Sequence, residues 1–275
     1  MEIGFYLRNM GPASSRELLT SAAQKAEAAL LDAVWVADHI AIPPDDAVGS
    51  EGRYLDPLAT LAFLAGSTKK IGLGTSVLVL PYRPALATAK WVATIQELSA
   101  GRLLLGVGSG WMESEFRAVG VEPSERGRIT DATLKFLHEC FAQDIVESNR
   151  QPFLFRPRPA RPKIYVGGSG PRAFRRTVEF ADGWMPIGSD PKKLALKSSG
   201  LRQIAREAGK PDPEVQLVTT LPLHDLDRAE ATLRTLAEGG ATGVIHSQKY
   251  LEEPELQESI EALGRLREKM VSTGA

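Results

Sequence analysis

The sequence predicts an α/β protein built as a single (β/α)8 TIM barrel over residues 1–275, with a long insertion between strands 4 and 5. Three observations predict it. Short apolar runs alternate with amphipathic runs along the whole chain, the pattern of a parallel sheet covered by helices. Eight strand-like runs each lead into a helix-like run, the number a closed barrel needs. The least generic residues fall where strands pass into the following loops, the end of a barrel that carries chemistry.

Residues Glu2–Leu7 read as the first strand, followed by a helix capped by Ser14 or Ser15 with Glu17 beyond. Ala33–Ala37 reads as the second strand, Leu55–Ser67 as a helix, and Ile71–Leu80 as the third strand. A helix over Pro84–Ser99 precedes a glycine-flanked fourth strand, Arg102–Val107. The later pairs are Ile164–Gly167 with helix Arg172–Ala181, Gly183–Ile187 with Lys192–Ala208, Val215–Leu221 with Arg228–Glu238, and Ala241–His246 with Pro254–Met270. Eight units without a large second domain favour closure over an open, doubly wound sheet. Residues 106–161 interrupt the rhythm with a helical run, Thr130–Phe141, and a basic, proline-rich stretch, Pro152–Pro162. A long loop at a barrel mouth usually serves as lid or pocket wall, and otherwise as surface elaboration.

Composition narrows the partners. A net charge of −1 over 275 residues provides no basic field for a nucleic acid. No stretch approaches a membrane span, and no basic-then-apolar signal segment precedes the first strand. Cys140 is the only cysteine, so no intrachain disulfide forms. The expectation is a soluble cytoplasmic protein acting on a small molecule, with no membrane partner.

Asp38 and His39 follow the second strand directly, in VWVADH. An imidazole gives or takes a proton near neutrality, and an adjacent carboxylate can orient it. A lone Asp-His pair is more often a capped turn, but a barrel strand end favours function. Ser76 lies within the third strand; Gly106, Gly108, Ser109, Gly110 and Trp111 follow the fourth; Gly167, Gly168, Ser169 and Gly170 follow the fifth; Trp184 and Met185 belong to the sixth. The first glycine run is spaced GxGxG, and Arg128 stands near where a ribose-binding acid belongs, so the Rossmann reading fails. The second runs into Pro171, where backbone N–H groups at a helix start can close on a phosphate, unless it is merely a tight turn. Trp111 and Trp184 read first as core packing. Arg102 with Glu97 reads as an ion pair at the foot of the fourth strand, and Arg126, Arg128 and Asp131 as a solvated helix-start network. His138, His224 and His246 lack metal-ligand spacing, so no metal is expected. No nucleophile elbow appears, and no strand carries a central Schiff-base lysine.

VWVADH, the run from YLDPLATLAFLAGS to LLLGVGSGWMESEF, ERGRITDATL and IYVGGSGPRAFRRTVEFADGW together resemble the bacterial-luciferase-like monooxygenase superfamily. The similarity is greatest to its branch using coenzyme F420, a 5-deazaflavin, and covers roughly residues 1–190. The resemblance implies a cytoplasmic F420-dependent oxidoreductase that transfers a hydride between the deazaflavin C5 and a small organic substrate. It places Asp38 and His39 beside the ring, with His39 as proton donor, acceptor or hydrogen-bonding partner of the substrate. It implies a non-proline cis peptide at Ser76–Val77 behind the ring. Gly108, Ser109, Gly110 and Trp111 would line the cofactor, and Gly167, Gly168 and Ser169 would hold its phosphate. Members that oxidise a sugar phosphate carry a carboxylate where Trp111 stands, which speaks against that activity. A homodimer is implied on the same ground. Two alternatives stay open: an FMN-dependent monooxygenase supplied by a partner reductase, and a flavin- or deazaflavin-binding protein without turnover.

Overall fold

In the computed structural model, which describes residues 1–272, eight parallel strands close into a barrel. They are β1 (Glu2–Tyr6), β2 (Ala33–Val36), β3 (Gly72–Val79), β4 (Leu103–Gly108), β7 (Lys163–Gly167), β8 (Gly183–Met185), β9 (Glu214–Thr219) and β10 (Gly243–His246). Their order round the ring is β1-β10-β9-β8-β7-β4-β3-β2. Each expected strand is present. The sixth stops at Met185, where Pro186 interrupts the ladder, although Ile187 still bridges Val218.

The helices behind the strands are α1 (Arg16–Ala28), α2 (Pro57–Ser67), α3 (Ala85–Leu98), α6 (Pro171–Phe180), α7 (Pro191–Glu207), α8 (Leu226–Glu238) and α9 (Glu253–Ser272). Ser15 rather than Ser14 caps α1, its hydroxyl accepting from Leu18 N–H at 3.1 Å. The insertion between β4 and β7 holds α4 (Glu113–Ala118), α5 (Arg126–Ala142) and a hairpin, β5 (Ile145–Ser148) with β6 (Gln151–Leu154). The hairpin occupies the start of the stretch read as proline-rich loop. Its two-residue turn places Asn149 and Arg150 both at positive φ, the twist that suits a tight hairpin.

Alternation along the strands sorts two cores. Outward residues such as Ile3, Phe5, Leu7, Val34, Val36, Leu105 and Val107 pack against the helices. Inward residues fill the barrel: Ala33, Trp35, Tyr165, Met185, Val218 and Ile245, with Tyr6, Val77 and Leu104 against them. Val77 faces inward because β3 carries a bulge. Thr75 pairs with Leu105 but Leu78 with Val107, so β3 holds one residue more than β4 over that stretch. Without the extra residue Ser76 would face the barrel and Val77 the helices.

The foot of the barrel is stitched by one device used three times. Asp32, Asp182 and Thr242 each precede a strand and accept the N–H near the start of the preceding strand, from Ile3 (2.8 Å), Ile164 (2.7 Å) and Val215 (2.8 Å). Arg102 departs from expectation. It donates not to Glu97 but to the carbonyls of Ala65 (3.0 Å), Ile71 (3.0 Å) and Ser99 (2.7 Å) and to the Thr68 hydroxyl (2.9 Å). A guanidinium with five donors suits orphan carbonyls at the ends of α2 and α3 better than one exposed carboxylate does.

The plug of the barrel depends on Trp35, whose indole lies over the backbone of β3. A Cβ at Gly74 would fall 2.1 Å from Trp35 Cε3. Gly74→Ala is therefore expected to destabilise by about 1–3 kcal/mol, the usual range for overpacking a filled interior. Chemical denaturation monitored by tryptophan fluorescence checks it; an unchanged midpoint would mean the indole moves aside freely.

Candidate active site

Five adjacent strands, β2, β3, β4, β7 and β8, carry the sequence-nominated residues. Alternation then decides which of them face the mouth. On β2 the inward set runs Ala33, Trp35 and onward to His39, whereas Asp38 falls on the outward phase. The adjacent pair is thereby split.

Asp38 is 4% exposed, and its carboxylate is fully occupied. Arg83 donates to both oxygens at 2.7 and 2.9 Å, and Val79 N–H donates at 2.8 Å. Burial pushes the Asp38 carboxyl up, and the guanidinium holds that rise in check. Arg83 also reaches Asp56 at 2.6 Å, so the cluster ties the end of β2 to the end of β3 and the start of α2. The phase of Asp38 sends it to Arg83, where it braces the strand ends.

His39 stands at the mouth with its side chain 20% exposed. Its Nδ1 lies 2.9 Å from Glu115 Oε2. Glu115, on α4, is completely buried and was not singled out from the sequence. It accepts four hydrogen bonds: His39 and Tyr82 Oη (2.8 Å) on Oε2, and the N–H groups of Ile40 (2.6 Å) and Ala41 (3.0 Å) on Oε1. Burial alone raises a carboxyl pKa, but these donors override it and hold Glu115 at about 2. An ionised carboxylate only accepts, so the proton on the imidazole sits at Nδ1. Nε2 has no protein partner among the described residues and is left for whatever enters the mouth. Tyr54 packs on the imidazole at 4.8 Å and Trp111 stands edge-on at 6.3 Å. His246, at the end of β10, is different: fully buried, it packs against Phe5 and burial lowers it to about 4.

The remaining nominated residues form a floor and two loops. Ser76–Val77 is a cis peptide, as expected. Val77 presses on two glycines; a Cβ on Gly108 or Gly167 would lie 2.7 or 3.0 Å from its methyls. Ser109 accepts from Arg176 at 3.0 Å, and Asp131 on α5 binds Arg175 and Arg176 on α6, so this network links helices rather than only solvating a helix start. Arg128 pairs instead with Glu125. Gly110 sits at positive φ against Phe116. Trp111 is 73% exposed, which corrects the core-packing reading, whereas Trp184 is buried and donates its indole N–H to the Gly168 carbonyl at 2.7 Å. Gly168 and Ser169 border a cleft of about 480 Å³ whose far wall includes Lys193 and Lys197.

These residues fit a flavin-like group. The glycines allow a flat ring to approach the backbone, and α6 starts at Gly170 with no side-chain cap, leaving its first N–H groups for an anion. Glu115 had a faint sequence signal. It interrupts the apolar stripe Met112, Phe116, Val119 at helical spacing, the mark of a carboxylate held in a core.

The luciferase-like monooxygenase family profile matches residues 5–273. An uncharacterized protein of Mycobacterium tuberculosis is 28% identical over 241 residues, 81% of this chain and 82% of its own. The 5,10-methylenetetrahydromethanopterin reductase of Methanolobus tindarius is 28% identical over 222 residues, 78% of this chain and 64% of that one. Among solved structures, the coenzyme F420-dependent tetrahydromethanopterin reductase of Methanopyrus kandleri superposes with a TM-score of 0.73 at 17% identity, covering 96% and 97% of the two chains. The oxygenating constituent of 3,6-diketocamphane monooxygenase of Pseudomonas putida, solved with FMN, superposes with a TM-score of 0.79 at 14% identity over 96% and 97%.

The depressed pKa of Glu115 makes stability depend on pH. Because its folded value lies below the unfolded one, the contribution is complete above about pH 4.5 and is lost as pH falls toward 2. Glu115→Gln is expected to cost up to about 3 kcal/mol at neutral pH and to flatten the acid limb of the stability profile. Urea denaturation of both proteins from pH 7 to pH 3 checks this; parallel profiles would refute it.

Proposed function

The chain belongs to the luciferase-like monooxygenase family, and from that premise we propose that it is an F420-dependent oxidoreductase acting on a small organic substrate. One observation carries the reading: His39 has one ring nitrogen locked by a buried carboxylate and the other open at the barrel mouth. When bound, coenzyme F420 supplies a hydride donor or acceptor at C5 of its deazaflavin ring. The relatives include both F420-dependent and FMN-bearing proteins, and the VWVADH segment favours the deazaflavin.

Val77, Gly108 and Gly167 would support a ring, with Ser109, Gly110 and Trp111 at its edge. Gly167, Gly168 and Ser169, with the uncapped start of α6, would hold a phosphate in the cleft that Lys193 and Lys197 also line. His39 Nε2 takes a proton from the substrate when hydride leaves it, and returns one in the reverse direction. Glu115 acts through His39, fixing its tautomer and stabilising the imidazolium while that proton is held. Asp38 and Arg83 are positioning residues that keep the ends of β2 and β3 in register.

Purified protein is expected to bind F420 at least about tenfold more tightly than FMN, read by fluorescence quenching. Equal or reversed affinities would refute the cofactor assignment in favour of the flavin monooxygenase reading.

His39→Ala is expected to leave F420 affinity within a few fold while turnover falls by about 10²–10⁴, the contribution of a positioned acid or base. Stopped-flow measurements with surrogate carbonyl or enone acceptors at saturating F420 provide the test. A wild-type rate in the variant would show that the proton moves elsewhere.

A further inference from the structure

Arg8 is unlike the other two buried arginines, of which Arg176 pairs with Asp131. Arg83 lies between two carboxylates, whereas Arg8, 9% exposed, has no carboxylate within ion-pair distance among the described residues, and its buried Nε–H has no acceptor. A buried cation without a counter-charge is costly, and a fold retains it where something else supplies the charge.

Its position is well defined. Leu7 N–H donates to the Trp35 carbonyl at 2.8 Å, so the β1–β2 ladder continues beyond Tyr6, and the inward phase of Gly4 and Tyr6 leads to Arg8. Asn9 then pins the chain, donating to the carbonyls of Ala37 (2.8 Å) and Leu55 (2.9 Å) and accepting from Ala37 N–H (2.9 Å). The Arg8 backbone N–H donates to Tyr250 Oη at 2.8 Å. Burial raises the Tyr6, Tyr54 and Tyr250 phenols, and the Arg8 charge pulls all three back down. Tyr54 is the ring packed on His39.

The ring of strands locates this cation relative to the cofactor floor. β1 lies four strands from β7 in either direction, so Arg8 stands across the mouth from the glycine loop at Gly167–Ser169. It is on the side left to the substrate, with His39 between the two. Aromatic rings border the same mouth: Tyr6 two residues earlier on the inward phase of β1, and Tyr54 and Trp111 against His39, the last 73% exposed.

Resting on the oxidoreductase reading above, we propose that Arg8 is a substrate-binding residue and that the substrate is an organic acid, an apolar or aromatic body carrying a carboxylate that pairs with this guanidinium while its reacting carbon lies beneath His39. A planar carboxylate meets the guanidinium fork with two parallel hydrogen bonds and neutralises the buried charge. A neutral carbonyl, with one oxygen and no charge, does neither.

The test uses trans-cinnamate and cinnamyl alcohol as probes, the same body with and without the charge, titrated by calorimetry into wild-type protein, Arg8→Met and Arg8→Lys. Wild type is expected to prefer the acid by about tenfold or more; Arg8→Met abolishes the preference and Arg8→Lys retains part of it. F420 affinity stays within a few fold in all three, and the melting midpoint of Arg8→Met is unchanged or higher, since an unpaired buried charge has been removed. A wild type without the preference, an Arg8→Met protein that keeps it, tighter binding of phenyl phosphate than of benzoate, or a lowered midpoint in Arg8→Met each overturns the proposal. Failure of wild type to bind F420 overturns the cofactor assignment instead, and leaves the acid preference to be read independently.

Discussion

The buried carboxylate of Glu115 is the contact on which the mouth of this barrel depends. It lies on a short helix of the insertion, yet its four donors come from the loop after β2 and from Tyr82 after β3. Two backbone N–H groups, a phenol and an imidazole meet on two oxygens, which fills the acceptor capacity of an ionised carboxylate. The insertion is thereby attached to the rim, the loop after His39 acquires a fixed path, and the imidazole is left with one free nitrogen. Truncating the side chain would leave its buried donors unsatisfied, each at a cost of roughly 1–3 kcal/mol.

Two buried carboxylates at this rim show how partner choice separates bracing from chemistry. Asp38 meets an arginine, which has no accessible neutral form and cannot pass a proton on. Glu115 meets a histidine, which can carry a proton on either ring nitrogen. The first arrangement closes a contact between strand ends. The second opens one toward solvent. They lie side by side because successive residues of an extended chain point in opposite directions.

The two ends of the barrel follow different rules. At the foot, Asp32, Asp182 and Thr242 each satisfy a neighbouring strand's N–H, and Arg102 gathers helix-end carbonyls, so polar groups there are matched within the protein. At the mouth, His39 Nε2 and Arg8 Nε lack protein partners among the described residues, and α6 begins without a side-chain cap. Unmet hydrogen-bonding capacity collected at one end is what a binding site looks like before its ligands arrive.

The sequence by itself determined what depends on neighbours along the chain. Period-two and helical runs located all eight barrel strands, strand-to-loop junctions singled out His39 and the glycines of β4 and β7, and the family resemblance pointed to Ser76–Val77. What it left undecided involves partners distant in sequence. Glu115 is 76 residues from His39, and only closure of the ring brings their elements together. Asp38 and Arg83, 45 residues apart, are likewise joined by folding. Trp111 was read as core from residue type, which says nothing about the direction of a loop. Arg102 was given the nearest acid in sequence, whereas the fold offered it carbonyls from two helix ends. The hydrophobic pattern records which way a side chain faces. Which charges meet is decided by the closed barrel, because electrostatic pairing depends on distance in space.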